Sequence, residues 1–113
     1  MKLTIDLGPI PAFVTVYIDK SPKKLEKFVN KNIDEELYEV AEGQLGVAID
    51  CSSHQYVWVS QDPVQNPGLL AHELLHATKA AMKHASMKDE ELECYVVMHL
   101  INEVTKKWKR KKT

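Results

Sequence analysis

Only two cysteines, Cys51 and Cys94, occur in the 113-residue chain, far apart and outside any C-x-x-C pair. That scarcity excludes a disulfide framework and a cysteine-based zinc knuckle, leaving two buried free thiols as the expectation. Long apolar runs are missing as well, so no segment is predicted to span a membrane. The first eight residues, Met1 to Gly8, alternate apolar and polar side chains without a continuous apolar stretch. They read as a strand rather than a secretory signal, which points to a cytoplasmic protein. Internal repeats are absent too. With 44 % hydrophobic residues, a chain of this length supports one core without covalent support, and one domain over residues 1–113 is expected.

Net charge is also small, at −1, but it is unevenly spread. Lys106, Lys107, Lys109, Arg110, Lys111 and Lys112 supply six of the last eight residues, a basic tail over 106–113. Such a tail suits the final turns of a helix, where cations complement the dipole. It also suits attraction to nucleic acid or an acidic partner. Trp108 is the only aromatic among these residues, which weakens the nucleic-acid reading.

What is present suggests an α+β layout. Ile5 to Leu7 and Phe13 to Asp19 read as strands, the second rich in β-branched and aromatic residues. Ser21-Pro22 opens a helix with Leu25, Phe28, Val29 and Ile33 at helical spacing. From Asp34 to Glu42 the pattern fits helix and strand equally, and both stay open. Gly43 and Gly46 punctuate the chain before Val47 to Asp50, and Tyr56 to Ser60 follows as the second strand of a hairpin. That second strand lies just ahead of the next helix, so it is a candidate to line a cleft and pair with an extended peptide, and equally a candidate internal strand.

The chemistry concentrates in Ala71-His72-Glu73-Leu74-Leu75-His76-Ala77. Residues four apart share a helix face, so His72 and His76 can address one ion while Glu73 stands beside them to activate water. An accidental H-E-x-x-H is expected roughly once in several hundred chains of this length, so its setting matters. Asn66-Pro67-Gly68 is a helix start, with Asn at the cap and Pro at the first helical position. From Leu69 to Met82 no Gly or Pro interrupts.

Two imidazoles do not complete a tetrahedral site, so a third ligand is needed. Ser86-Met87-Lys88-Asp89 resembles a capping box opening a second helix through Glu90, Glu91 and Glu93 towards Trp108. At 100° per residue, Glu91 and Glu93 fall on nearly opposite sides, whereas Glu91, Tyr95, Met98 and His99 share a face. In a simple antiparallel hairpin, position 98 would be level with His76, so His99 competes with Glu91 and Glu93 for the third place. His54, His84 and His99 have no catalytic spacing and are otherwise expected to be structural or exposed.

Gly68 to Ala77, followed by Asp89 to Val97, resembles small zincin-type proteins of phages and prophages. In these a strand hairpin precedes an H-E-x-x-H helix, and the next helix carries Glu followed four residues later by Tyr or Phe. The chain is more distantly similar to the ImmA/IrrE group. The resemblance covers roughly the C-terminal half. It implies a small zincin-like domain, with an antiparallel sheet packed on the motif helix and a following C-terminal helix. It implies Glu91 as third ligand, Tyr95 as the aromatic four residues after it, and Zn2+ as the ion; the Tyr95 hydroxyl is a candidate to assist at the oxyanion, with core packing the equal alternative. A metzincin would carry a third His where this chain has Met82, and nothing downstream selects the SprT-like group. The expected activity is that of a zinc metallopeptidase on a protein or peptide substrate in the bacterial cytoplasm, with Glu73 as general base. The alternative is an inactive, metal-stabilised protein- or DNA-binding module.

Overall fold

A computed structural model of the chain describes residues 1–32 and 39–112. Positions 33–38, which include Ile33 and much of the stretch left open between helix and strand, lie outside the described residues. Residues 39–42 are neither helix nor strand.

The chain builds β1 (Lys2–Asp6), β2 (Phe13–Ile18), α1 (Lys23–Asn32), β3 (Gly46–Cys51), β4 (His54–Val59), α2 (Pro67–His84) and α3 (Glu90–Lys112). The four strands form one sheet in the order β1-β2-β4-β3. It is mixed, not antiparallel as expected. β1 and β3 run antiparallel to their neighbours, but β2 and β4 pair in parallel, Phe13 opposite His54 through Ile18 opposite Val59. After α1 the chain enters β3 antiparallel to β2, and the turn between β3 and β4 reverses it again, so that β4 lies parallel to β2.

Side-chain alternation assigns the two faces of the sheet. Val14, Val16, Val57 and Val59 point to one face and pack with Leu70, Leu74, Ala77 and Ala81 of α2 and Val96, Leu100 and Val104 of α3. The other face carries Tyr17 and Trp58, covered by Leu25 and Val29 of α1. Trp58 is buried without loss because its indole Nε1 donates to the Asp19 carbonyl at 3.0 Å.

Helix ends follow the sequence with two adjustments. Pro67 does open α2, but the Asn66 side chain makes no cap; its Nδ2 donates to the Asp62 carbonyl at 3.5 Å. On α3 the cap is Asp89 rather than Ser86, since Asp89 Oδ1 accepts from the Leu92 amide at 3.1 Å. Ser86 instead takes a left-handed conformation, φ 56°, in the turn. The basic tail continues α3 as helix to Lys112. Among the described residues no helix is long and apolar enough to cross a membrane. Both cysteines are free, but neither is fully buried; Cys51 is half-buried and Cys94 exposed, because Cys94 lies off the Val96–Leu100–Val104 stripe that α3 turns to the core.

Candidate metal centre

Within α2 the buried positions are Leu70, Glu73, Leu74, Ala77, Thr78, Ala81 and Met82, and the helix flank beside Glu73 emerges next to the sheet. His72 and His76 occupy that flank. Their Nε2 atoms converge to 3.2 Å, with the rings edge to face at a centroid distance of 4.7 Å. Two nitrogens each about 2.05 Å from one tetrahedral ion stand about 3.3 Å apart, so the pair fits a shared Zn2+. Without an ion, a hydrogen bond whose donor depends on the tautomer closes the same gap.

Glu73 sits between this pair and the core. It is only 6 % exposed, yet its Oε1 lies 3.6 Å from His72 Nε2. Burial raises its carboxyl pKa above the ordinary value, opposed by the two imidazoles. The room for it comes from Gly46. A Cβ at that position would stand 3.1 Å from Glu73 Cγ, 3.1 Å from the Trp58 carbonyl oxygen and 3.2 Å from Leu69 Cδ1. Gly46 therefore does more than punctuate the chain; it lets β3 approach α2 closely.

His72, Glu73 and His76 share a cleft of 440 Å3 with Gly46, Val47, Ala48 and Asp50 of β3. The strand that chiefly lines it is β3, with Gln55 of β4 beside it, and of the two alternatives open for Tyr56 to Ser60 the internal strand is the one observed. β4 is internal, paired on both sides, while β3 is the edge strand. At its far end, Asp50 accepts from the buried Gln55 Nε2 at 2.7 Å and from the Ser52 amide at 3.1 Å. Both Asp50 oxygens lie 2.9 Å from His84 Nε2. Gln55 is the foremost of the interactions that hold the Asp50 carboxyl below its ordinary pKa; burial opposes it next in size, and His84 and the Ser52 amide tip the balance downward. His84 is therefore structural, as expected, but its partner thirty-four residues away had no local mark in the sequence.

The remaining sequence candidates are not brought to the imidazoles. Glu93 pairs with Lys79 Nζ at 2.9 Å, which sets α2 against α3. With residue 79 level with 93, an antiparallel pair puts Val96 level with His76 and Leu100 level with His72. Glu91 falls on the other side of that pair, level with Ala81, about 7 Å along the axis from His76. It is exposed in the first turn of α3. Tyr95 is 68 % exposed, so it neither packs in the core nor joins the pair, and His99 is exposed too. Glu91, Tyr95, Met98 and His99 do share an exposed face. Among the described residues, no three His, Cys, Asp or Glu side chains gather as a metal-holding set.

The chain matches no family model, no curated protein and no solved structure. The functional reading therefore rests on the residues themselves.

Proposed function

We propose that this chain is a small zincin-like metallopeptidase that hydrolyses a peptide bond at the His72–His76 pair. The observation that carries the reading is the 3.2 Å approach of the two Nε2 atoms beside the buried Glu73 carboxylate. His72 and His76 would hold Zn2+ as neutral imidazoles, and the ion would supply Lewis acidity for water and for the scissile carbonyl. A structural zinc is enclosed by four protein ligands, whereas the His72 side chain is 66 % exposed, which favours the catalytic reading over metal-based stabilisation alone.

Glu73 acts as the general base. Its partly desolvated carboxylate takes a proton from the attacking water and returns it to the departing amine. The free edge of β3 aligns the substrate, whose extended backbone adds as a further strand across the cleft from Glu73. The third ligand in this proposal is Glu91, as the resemblance implies, and its service requires the first turn of α3 to move towards the pair. Tyr95 would follow the same movement. The reading sets the reaction in the bacterial cytoplasm, where two free cysteines persist as thiols.

The test is metal content of the purified protein against His72→Ala, His76→Ala, Glu91→Ala, His99→Ala and Glu73→Gln. One zinc per chain in wild type and in Glu73→Gln, lost in both histidine variants, supports the reading. Loss in Glu91→Ala supports its ligand role; loss in His99→Ala with retention in Glu91→Ala replaces it. A wild-type chain that takes up no zinc overturns the proposal.

A further inference from the structure

The basic residues at the end of the chain take no part in the chemistry at His72 and His76, yet the fold does not leave them as a loose tail. α3 stays helical to Lys112, and Trp108 packs with Met1 and Leu3 against the main core. That contact lays the last turns of α3 beside the start of β1. Pairing of β1 with β2 brings a second basic segment to the same end. Met1 and Ile18 exchange backbone hydrogen bonds of 2.7 and 2.8 Å, and residues 19–24 follow at once. The charges of Lys111 and Lys24 are both felt at Met1: burial foremost, and then Lys111, lower the pKa of its amine, with Asp19 opposing and Lys24 adding to the fall.

Residues 20–24 and 106–111 together hold eight of the fifteen Lys and Arg of the chain and no acidic residue. Lys20, Lys23, Lys106, Lys107, Lys109 and Lys111 are exposed, and so is Lys24, whose Nζ lies 3.9 Å from Asp19 Oδ2. Among the described residues, the exposed large hydrophobics are Phe13, Leu45, Val64, Leu75, Tyr95 and Met98, and none belongs to either segment. A helix seated in a membrane surface needs an apolar face, a protein partner needs an apolar interface core, and a single strand needs aromatic platforms for its bases. These two segments offer none of the three. The phosphates of a duplex need only cations.

We propose that the surface shared by the β2–α1 turn and the last turns of α3 binds the phosphate backbone of a nucleic-acid duplex without regard to its sequence. The inference goes beyond the metallopeptidase reading and does not depend on it. β1 and β3 are opposite edges of the sheet, so a duplex held beside β1 leaves the β3 cleft open. With residue 79 level with 93, the end of α3 also runs past the start of α2, away from Glu91.

Fluorescence anisotropy of a labelled, mixed-sequence DNA duplex titrated with the full chain tests this. Affinity should fall by about a hundred- to a thousandfold between roughly 50 and 200 mM salt, as release of counterions from about four to six phosphates requires. A duplex of unrelated sequence should bind equally well. Lys20→Gln with Lys24→Gln, and separately Lys107→Gln with Lys111→Gln, should each weaken binding at low salt by about tenfold or more and reduce the salt slope by about two. All four positions are exposed, and a cooperative thermal melt of each variant confirms that it is folded. A loss confined to the α3 pair assigns binding to the tail alone and overturns the shared surface. Tighter binding to the single strand, to phosphatidylglycerol vesicles or to polyglutamate gives the surface to another partner and overturns the duplex assignment. So does a wild-type chain that leaves the duplex unbound at low salt.

Discussion

Glu73 and Gly46 meet where β3 passes α2, and each makes the other's position workable. The carboxylate is buried yet within 3.6 Å of His72 Nε2, a geometry that an exposed helix residue would not hold. Glu73→Gln keeps the shape and removes the base. On a peptide substrate it should lower kcat/KM by about 10²- to 10⁴-fold, with zinc content unchanged; an active Glu73→Gln enzyme would assign the proton transfer elsewhere. Gly46→Val tests the packing beneath. Its side chain would press on the Trp58 carbonyl, which cannot move aside as a flexible side chain can. A loss of about 1–3 kcal/mol is expected, measured by urea denaturation.

At the level of elements, the β3–β4 hairpin and α2 are tied by Asp50, Gln55 and His84. Gln55 is fully buried, and its Nε2 is satisfied by Asp50 Oδ1 and the Ser52 carbonyl at 3.0 Å. The carboxyl of Asp50 has its pKa lowered in the fold, so the folded state binds its proton less readily than the unfolded chain. Its stabilisation is therefore full above the unfolded value, about 3.9, and is lost as pH falls through the lower folded value. Asp50 is about half exposed, which keeps the contribution small. The stability difference between wild type and Asp50→Asn should accordingly be positive near neutrality and shrink below about pH 4. A difference that does not change with pH would mean that the variant acts only through lost packing.

Across the whole molecule, α2 and α3 share a core with one face of the sheet while α1 covers the other, and the imidazole pair lies at the rim between α2 and the edge strand. An ion bound there is bound only by the folded chain, because the unfolded chain does not hold both nitrogens together. Zinc at a hundred times its Kd should add about 2.7 kcal/mol, a rise in Tm of roughly 10 °C. The rise should reverse with chelator and be absent in His76→Ala; a zinc-induced shift that persists there would indicate binding elsewhere.

Local features were legible from the sequence because they are set within a few residues. Pro67 and the unbroken Leu- and Ala-rich run make α2 a helix, and a spacing of four then brings His72 and His76 together whatever else the chain does. The strand positions and the core stripe of α1 followed from side-chain periodicity in the same way. Pairing between distant segments has no such local imprint. Which hairpin strand is internal depended on β2 entering beside β4, and this made the sheet mixed and gave the free edge to β3. Likewise, helical spacing sets Glu91 and Glu93 on nearly opposite sides of α3 but does not say which side turns to α2. Only the packing of α3 on α2, with Lys79 claiming Glu93 and the Val96–Leu100–Val104 stripe turned to the core, decided that neither carboxylate reaches the imidazoles in this structure.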